Sequence, residues 1–230
     1  MASAGGVVVA MDGPSGSGKS STSRGVAARL GLRYLDTGAM FRAMTWWLLR
    51  RGVDVEDAEA VAALADAPVL VSGTDPVAPT ITVDGVDVAA PIRSLEVTAA
   101  VSAVSAVPAV RARLLRDQRD VIGEGDIVVE GRDIGTVVAP DAEVKVYLSA
   151  DPVARAVRRT AEMTGVTVQD TEQDLARRDR LDSGRVTAPL TMAADAHHID
   201  TTPFTLEEVV DQVVALVQKA GSEDGGPGPR

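Results

Sequence analysis

Residues Gly13-Pro14-Ser15-Gly16-Ser17-Gly18-Lys19-Ser20 match the phosphate-binding P-loop pattern G-x-x-x-x-G-K-S. The apolar run at 7–11 precedes this loop, as expected of a strand buried in a parallel sheet. Residues 20–30 follow it with the apolar spacing of an amphipathic helix. Strand, glycine-rich loop and helix in this order predict a nucleoside triphosphate site. The simpler alternative is a flexible glycine loop before a helix, and the agreement between motif and context argues against it.

The residue types of the loop suit a chain of phosphate groups. Glycines allow successive backbone N–H groups to face one anion, and the helix N-terminus adds partial positive charge. The Lys19 ammonium can reach the β- and γ-phosphates, and the Ser20 hydroxyl can face Mg²⁺. We therefore predict that residues 13–20 bind the nucleotide, that Lys19 is catalytic and that Ser20 binds the metal. The sequence shows no obvious second acidic metal ligand after a strand.

The whole chain has 230 residues, of which 45% are hydrophobic and 24% charged, as is typical of a globular protein. Its length allows one α/β domain with an insertion. The absence of cysteine excludes disulfides and thiolate metal sites. The net charge of −10 argues against a general nucleic-acid-binding protein. Neither a signal-peptide pattern nor an apolar run of about 18 residues is evident, so we expect a cytoplasmic protein without a membrane span.

A β-rich segment interrupts the alternation of strands and helices in the first half of the chain. Asp84-Gly85 lies between the short runs 81–83 and 86–88, which is a strong signal for a tight β-hairpin. The strand-like run 69–71 precedes this hairpin. We therefore predict that residues 68–92 form a lobe inserted into the α/β core.

The remaining segments predict a P-loop-type parallel sheet flanked by helices. The core is expected to comprise residues 6–67, 93–150 and 190–220. Residues 221–230 are rich in glycine, proline and charge, and are predicted to be a disordered tail. Further strands are predicted at 127–130, 143–148 and 195–200, and further helices at 38–51, 55–65, 93–107, 109–122 and 206–219.

Two charged positions are predicted to meet a substrate outside the P-loop. Ligands of open α/β sheets bind beyond the carboxyl ends of the strands. Arg132 and Asp133 follow the strand 127–130, and are therefore expected at that edge. Arg42 lies near the start of the helix 38–51, where helix N–H groups and a guanidinium can hold a phosphate together. An ordinary surface arginine is the alternative at this position.

The arginines of this acidic chain are concentrated at 111–119, 155–159 and 177–185. The last two clusters lie on predicted helices, and we predict that residues 155–188 form a mobile basic lid over the phosphates. Closure of such a lid excludes water from the reaction. The alternative is an ordinary helical hairpin with solvated arginines in i,i+4 salt bridges. The lid arginines are Arg155, Arg158, Arg177, Arg178, Arg180 and Arg185.

These features together favour a small-molecule or nucleotide kinase among the P-loop proteins. The chain has no Asn-Lys-x-Asp base-recognition run of a GTPase switch, and it is shorter than the large motor ATPases. Phosphoryl transfer requires positioning and charge stabilisation more than a dedicated nucleophile. A phosphate acceptor is already ionised near neutral pH, so it needs no strong general base. A non-catalytic ATP-binding protein is the alternative from another class.

Four segments resemble the bacterial cytidylate (CMP) kinases, in order and at similar spacing over about 6–220: Asp12–Ser20, Leu35–Ala39, Gly131–Val138 and Arg185–Leu190. The resemblance implies the reaction ATP + (d)CMP → ADP + (d)CDP, with Mg²⁺ as cofactor. It also implies a core, a large NMP-binding insertion and a lid, in a monomer with no nucleic-acid or membrane partner. The alternative is another small P-loop kinase acting on UMP, AMP or a small metabolite.

The resemblance also implies roles for individual residues. The catalytic residues would be Lys19, Arg132, Arg178 and Arg185, and Arg158 would bind ATP together with residues 13–20. The residues that would bind CMP are Thr37, Arg42 and Arg132 at its phosphate and sugar, Ser102, Arg111, Asp133 and Arg185 at cytosine, and Arg178 and Asp182 at the ribose.

The chemistry of cytosine agrees with this base-reading set. Asp133 can accept a hydrogen bond from the N4 amine, and Arg111 can donate to the N3 and O2 acceptors. Uracil has a carbonyl where cytosine has the N4 amine, and an N–H where cytosine has the N3 acceptor. Both side chains would then face the wrong partner. The chain departs from the family pattern in having Thr37 for serine, Phe41 for tyrosine and Glu130 for aspartate. The Phe41 change removes one possible hydrogen bond at the sugar.

Overall fold

A five-stranded parallel sheet forms the centre of the computed structural model, which describes residues 6–161, 165–185 and 187–223. The strand order is β2-β6-β1-β7-β8. Each neighbouring pair is parallel, so all five carboxyl ends lie at one edge. These strands are β1 Val8–Asp12, β2 Arg33–Asp36, β6 Ile127–Glu130, β7 Val144–Ser149 and β8 His197–Asp200.

Helices cover both faces of this sheet. Successive residues of a strand point to opposite faces, and Val128 packs in one apolar cluster while its neighbours Ile127 and Val129 pack in the other. Burial of both faces explains why the central strands are continuous apolar runs. The α-helices are α1 Lys19–Leu30, α2 Thr37–Arg50, α3 Ala58–Ala63, α4 Leu95–Ala106, α5 Pro108–Ile122, α6 Pro152–Ala161, α7 Val168–Ser183 and α8 Leu206–Glu223. Further short helices lie at Pro91–Arg93 and Ile134–Val138.

The predicted inserted lobe is a separate three-stranded antiparallel sheet, β3 Leu70–Ser72, β4 Ile81–Val83 and β5 Val86–Asp87. The hairpin prediction is confirmed, because Asp84 and Gly85 both have positive φ, 50° and 78°. This pair of angles is the requirement of a type I′ turn. The buried residues of β4 join the same apolar cluster as α2, which attaches the lobe to the core. The fold class predicted from the sequence is confirmed.

Some predicted boundaries differ from the structure. The strand β2 was not predicted, since its four residues are charged at both ends and run directly into α2. The helix predicted at 55–65 is shorter in the structure, where it is α3. It begins after Asp57, whose carboxylate caps it by accepting from two backbone N–H groups. The last helix continues to Glu223, so the first three residues of the predicted tail are helical. Residues 224–230 lie outside the described residues.

The segment predicted to be a lid contains α6 and α7, which pack against each other. The hydroxyl of Thr160 on α6 donates to that of Thr171 on α7 over 2.9 Å. The connecting residues 162–164, and Val186, lie outside the described residues. Within the part of the chain that is described, no single helix is long and apolar enough to cross a membrane. Taken together, α4 and α5 would meet that requirement of length and composition, but the pair is bent by 95° at its junction.

Candidate active site

A cavity of about 360 Å³ opens at the carboxyl edge of the sheet, beside β2 and β6. Its walls come from the P-loop, the start of α2, the helices α4, α5 and α7, and the loop that follows β6. The predicted site residues that line it are Ser15, Gly16, Gly18, Lys19, Ser20, Thr37, Arg42, Ser102, Arg111, Arg132, Asp133, Arg178, Asp182 and Arg185.

The P-loop takes its shape from backbone angles that glycine adopts freely. Gly13 has a φ of 143° and Gly16 a φ of 78°. A Cβ atom at Gly13 would lie 2.1 Å from the carbonyl oxygen of Leu148, on the neighbouring strand β7. The Lys19 ammonium is buried and donates to the Pro14 carbonyl over 2.7 Å. The lysine therefore folds back over the loop that would hold the phosphates.

The charge on Lys19 is set by a balance between burial and its neighbours. Burial lowers the pKa of the ammonium, and the nearby Arg132 guanidinium lowers it further. The carboxylates of Glu130 and Asp12 oppose this shift. An anion bound at the loop would add negative charge and favour the protonated lysine in the same way.

Glu130, the last residue of β6, contacts Ser20 at the wall of the cavity. Its Oε2 accepts a hydrogen bond of 3.0 Å from the Ser20 hydroxyl, and its Oε1 accepts one from the Tyr34 hydroxyl. Burial raises the pKa of the Glu130 carboxyl, and the negative charge of Asp36 raises it further. Glu130 is thus an acidic neighbour of Ser20 that was not obvious from the sequence. The signal that could have found Glu130 is its place at the carboxyl end of a buried strand.

The residues at this position fit a magnesium ion bound with a nucleotide. Among the described residues no group of three or more acidic or histidine side chains forms a complete metal site. Mg²⁺ usually takes only one or two oxygen ligands from the protein and the rest from phosphates and water. Ser20 and Glu130 supply hard oxygen donors of this kind beside the P-loop.

Arg111 and Asp133 form an ion pair that lines another wall of the cavity. The side chains are 9% and 8% exposed. Burial raises the pKa of the Asp133 carboxyl, and the Arg111 guanidinium opposes the shift. Arg111 also donates to the Ser105 carbonyl over 3.2 Å and lies 5.3 Å from the centre of the Phe41 ring. Cation, carboxylate and aromatic ring are thus held together where a polar ring system could bind.

Asp12, the last residue of β1, holds the loop after β6 where it enters the short helix Ile134–Val138. The two oxygens of this carboxylate accept from the backbone N–H groups of Ile134 and Gly135, each over 2.8 Å. Burial raises the pKa of Asp12 to about 6. Within the same loop, Arg132 donates to Asp182 of α7 over 2.9 Å and to the P-loop carbonyl of Gly13 over 3.0 Å. Arg132 therefore connects the P-loop with the helix predicted to belong to the lid.

Cationic groups outnumber nearby anions in the rest of the cavity. Burial, together with the charge of Arg178, lowers the pKa of Arg42 to about 9. Burial, together with Arg132, lowers the pKa of Arg178 to about 10. Arg178 Nε and Arg185 Nη2 are buried and have no hydrogen-bond partner among the residues that the structure describes. A concave site with this charge is suited to phosphate groups.

Four predicted nucleotide-binding residues are not among the residues that line the cavity: Gly13, Pro14, Ser17 and Arg158. The first three belong to the P-loop itself, and Gly13 and Ser17 are buried in it. Arg158 instead donates to the hydroxyl and carbonyl oxygens of Thr201, over 2.8 and 2.9 Å. The Thr201 hydroxyl in turn donates to the Ser17 carbonyl over 3.1 Å. Arg158 thus lies behind the P-loop, and supports it through Thr201.

Several cavity residues were not predicted from the sequence. Asp36 ends β2 and pairs over 3.3 Å with Arg93, which directly follows the inserted lobe. The sequence signal for Asp36 was the same as that for Glu130, namely a carboxylate at the end of a strand. Asp36 was missed because β2 was not predicted. The unpredicted residues that line the cavity are Ser21, Arg24, Asp36, Gly38, Phe41, Arg93, Val101, Ser105, Glu130, Gly131 and Arg159.

Comparisons with known proteins agree on one family. Residues 9–219 match the family model described as cytidylate kinase. A cytidylate kinase from Streptomyces avermitilis is 58% identical over 215 residues, which cover 93% of each chain. A cytidylate kinase from Nocardia farcinica is 52% identical over 216 residues, covering 92% of this chain and 93% of the relative.

Among solved structures, an uncharacterized protein from Eubacterium ventriosum has a TM-score of 0.51 at 10% identity, over 93% of this chain and 98% of the other. At that identity the likeness concerns the fold alone. The family model spans every cavity residue described above, and the two relatives cover 93% and 92% of the chain. The chain therefore belongs to the cytidylate kinase family.

Proposed function

We propose that the protein transfers the γ-phosphoryl group of ATP to CMP and dCMP, giving ADP and CDP or dCDP. The observation that carries this proposal is the joining of three groups in one cavity: the P-loop, an arginine-rich anion site and the buried Arg111–Asp133 pair. The first suits a triphosphate, the second a phosphate acceptor and the third a base with both donors and acceptors. The names of the relatives support cytidylate as the acceptor.

Residues 13–20 bind the triphosphate of ATP in this reaction, and Lys19 neutralises the β- and γ-phosphates. The transferred phosphoryl group carries negative charge on its equatorial oxygens, so catalysis depends mainly on placing positive charge around it. Arg132, Arg178 and Arg185 converge on the cavity and supply that charge. Arg158 contributes to ATP binding indirectly, by holding Thr201 against the P-loop.

Ser20 and Glu130 are the residues that would hold Mg²⁺. When bound, the ion supplies neutralisation of the phosphate oxygens and fixes their orientation. The Ser20 hydroxyl donates its hydrogen to Glu130, which leaves the lone pairs of Ser20 Oγ available to a cation.

CMP is held at its phosphate by Thr37, Arg42 and Arg132, and at its ribose by Arg178 and Asp182. The unusual density of cations around Arg42 favours a dianionic phosphate. Such an acceptor is already nucleophilic near neutral pH. Transfer therefore needs alignment of the two phosphates and no general base.

The base is read by Asp133 and Arg111, with Ser102 and Arg185 beside them. Asp133 accepts from the N4 amine of cytosine, and Arg111 donates to N3 and O2. Uracil presents a carbonyl to the carboxylate and an N–H to the guanidinium. Since these buried groups would lose their partners, discrimination against UMP is expected to be large.

Closure of residues 155–188 over the phosphates excludes water in this scheme. Arg155 of α6 donates to Asp179 of α7 over 2.5 Å and to the P-loop carbonyl of Ser15 over 3.2 Å. These contacts allow the segment to respond to a nucleotide on the loop. We propose further that the protein acts as a monomer in the cytoplasm, without a nucleic-acid or membrane partner.

The test is ADP formation from Mg·ATP with CMP, dCMP, UMP and AMP offered one at a time. Strong turnover with the two cytidine nucleotides alone would support the substrate and the base-reading pair. A preference for UMP or AMP would favour the alternative of another small P-loop kinase and overturn the roles of Arg111 and Asp133. Nucleotide binding without ADP formation from any acceptor would contradict the kinase itself.

A further inference from the structure

Tyr34 and Ser20 donate hydrogen bonds to different oxygens of the same carboxylate, Glu130. We propose that Tyr34 is a positioning residue for the metal site. Its hydroxyl holds the Glu130 carboxylate in the orientation in which the other oxygen meets Ser20, and thereby sets the affinity of the ATP-bound enzyme for its divalent cation. This role rests on the proposed ATP-dependent function.

The carboxylate of Glu130 needs both donors to be fixed. The terminal torsion of a glutamate is broad, so a single hydrogen bond from Ser20 would leave the carboxylate plane free to turn. A second donor on the other oxygen removes this freedom. The two donors come from different elements, Ser20 from α1 and Tyr34 from β2, so the plane is held from two sides.

The Tyr34 hydroxyl is placed by contacts that do not depend on a ligand. Its side chain is 2% exposed and packs in the apolar cluster that contains Val9, Val26 and Val128. Its backbone lies opposite Val128 of β6, two positions before the register pair Asp36–Glu130. On the other edge of β2, the Tyr34 N–H donates to the Thr74 carbonyl of the inserted lobe over 2.9 Å. Tyr34 therefore connects the lobe with the metal-binding carboxylate.

Ser20 depends on this arrangement for its own orientation. Its hydroxyl hydrogen is donated to Glu130 Oε2, so its lone pairs face the cavity that it lines. Without Tyr34, Glu130 can rotate away from Ser20, and the serine hydroxyl loses the acceptor that orients it. A buried tyrosine hydroxyl also needs a partner for structural reasons alone. Metal affinity separates these two roles, because a structural role would not change it selectively.

Tyr34→Phe removes the hydroxyl and keeps the ring in the core. The probe is Mn²⁺, whose binding to the full-length protein with a non-hydrolysable ATP analogue is followed by electron paramagnetic resonance. We expect Mn²⁺ to bind about tenfold more weakly, as for the loss of one charge-assisted hydrogen bond. Affinity for the analogue without metal should remain unchanged. The double variant Tyr34→Phe/Glu130→Gln should bind Mn²⁺ no more weakly than Glu130→Gln alone, since both changes act through one carboxylate.

Trp47→Phe is the matched control. It removes another buried hydrogen-bond donor of the core, the indole N–H that donates to Asp84 of the inserted lobe over 2.7 Å, and Trp47 does not line the cavity. Its Mn²⁺ affinity should equal that of the wild type. Should Tyr34→Phe fail to fold, Tyr34→Met tests the same point. It keeps a long apolar side chain in the core and likewise lacks the hydroxyl, so about tenfold weaker Mn²⁺ binding is expected again.

The outcomes separate this role from the proposed function. Wild-type Mn²⁺ affinity in Tyr34→Phe, together with weak binding in Glu130→Gln, would overturn the role of Tyr34 and leave the kinase proposal intact. An equal loss in Trp47→Phe would also overturn it, by showing general loosening between lobe and core. Weak Mn²⁺ binding confined to the Tyr34 and Glu130 variants, in a protein that does not phosphorylate CMP, would support the positioning role while the acceptor assignment fails.

Discussion

Arg111 of α5 and Asp133, in the loop after β6, form an ion pair that is almost fully buried and still lines the cavity. Because each charge compensates the other, the pair can stay ionised away from water. The Ser105 carbonyl, 3.2 Å from Arg111, restrains the guanidinium further. The wall of the cavity therefore presents a donor and an acceptor whose positions are set before any base arrives, which reduces the ordering cost of binding.

Arg111→Ala is expected to damage the use of CMP selectively. The change leaves Asp133 as an uncompensated buried carboxylate and removes the donors proposed for N3 and O2. We expect kcat/KM for CMP to fall by at least about 100-fold, while the KM for ATP changes by less than about threefold. Steady-state kinetics with each substrate varied in turn will measure both effects.

Arg116→Ala provides the control on the same helix. Arg116 pairs with Asp66 at 2.8 Å, but the side chains are 61% and 75% exposed. Such a surface ion pair contributes little to stability, so neither substrate should be affected. An Arg111 variant that raised the KM for ATP and CMP equally would contradict a role in base reading.

Lys19→Ala is expected to lower turnover by at least about 1000-fold, because it removes the only lysine among the cavity-lining residues, where phosphate charge develops. The fold should be retained, since the lost ammonium bonds only to the Pro14 carbonyl among the described residues. Lys219→Ala, on an exposed position of α8, should behave as wild type. ADP formation in a coupled assay checks this, and retained activity in Lys19→Ala would contradict the P-loop assignment.

The features that the sequence predicted correctly have local causes. The P-loop is recognised because its glycines and Lys19 are contiguous and are flanked by a strand and a helix. The hairpin at Asp84-Gly85 is recognised because two adjacent residues with positive φ determine the turn. In both cases the physical requirement lies within a few residues of the signal.

The features that were missed depend on distant partners. Glu130 and Ser20 are 110 positions apart, and only the packing of α1 over β6 brings them together. The strand β2 is too short to show an alternating pattern and is stabilised by pairing with β6. Arg158 belongs to an arginine cluster like those that supply cavity residues, yet it bonds to Thr201, 43 positions further along the chain. Side-chain direction on a helix that carries several arginines is decided by such contacts.

Asp12→Asn is expected to change how stability depends on pH. Burial raises the pKa of this carboxyl from 3.8 to about 6, and the repulsion of Asp133 adds to the shift, whereas the Ile134 and Gly135 N–H groups and Lys19 oppose it. Between these two pH values the folded state binds more protons at Asp12 than the unfolded state. The wild type therefore loses up to about 3 kcal/mol from this group as the pH rises from about 4 to 6.5.

The asparagine variant lacks this titration. It is less stable than the wild type at low pH, because an amide cannot accept from both Ile134 and Gly135 as well as a carboxyl group does, and its disadvantage should shrink as the pH rises. Urea unfolding of both proteins across this pH range measures the difference. A difference that stayed constant, or that grew with pH, would contradict the raised pKa.

Gly13→Ala is expected to weaken ATP binding strongly through crowding of the backbone. The new Cβ would lie 2.1 Å from the Leu148 carbonyl oxygen, at a φ of 143° that alanine rarely adopts, so the P-loop must move away from β7. We expect the affinity for ATP to fall by at least about 100-fold, since the loop's N–H groups would no longer converge on the phosphates.

Gly31→Ala is the matched control: its φ is also positive, at 69°, but no atom lies within 4 Å of the added Cβ. That variant should lose about 1–2 kcal/mol of stability from backbone strain and keep its ATP affinity. Isothermal titration calorimetry with ATP separates the two, and equal ATP affinity in both variants would show that contact between the P-loop and β7 does not shape the phosphate site.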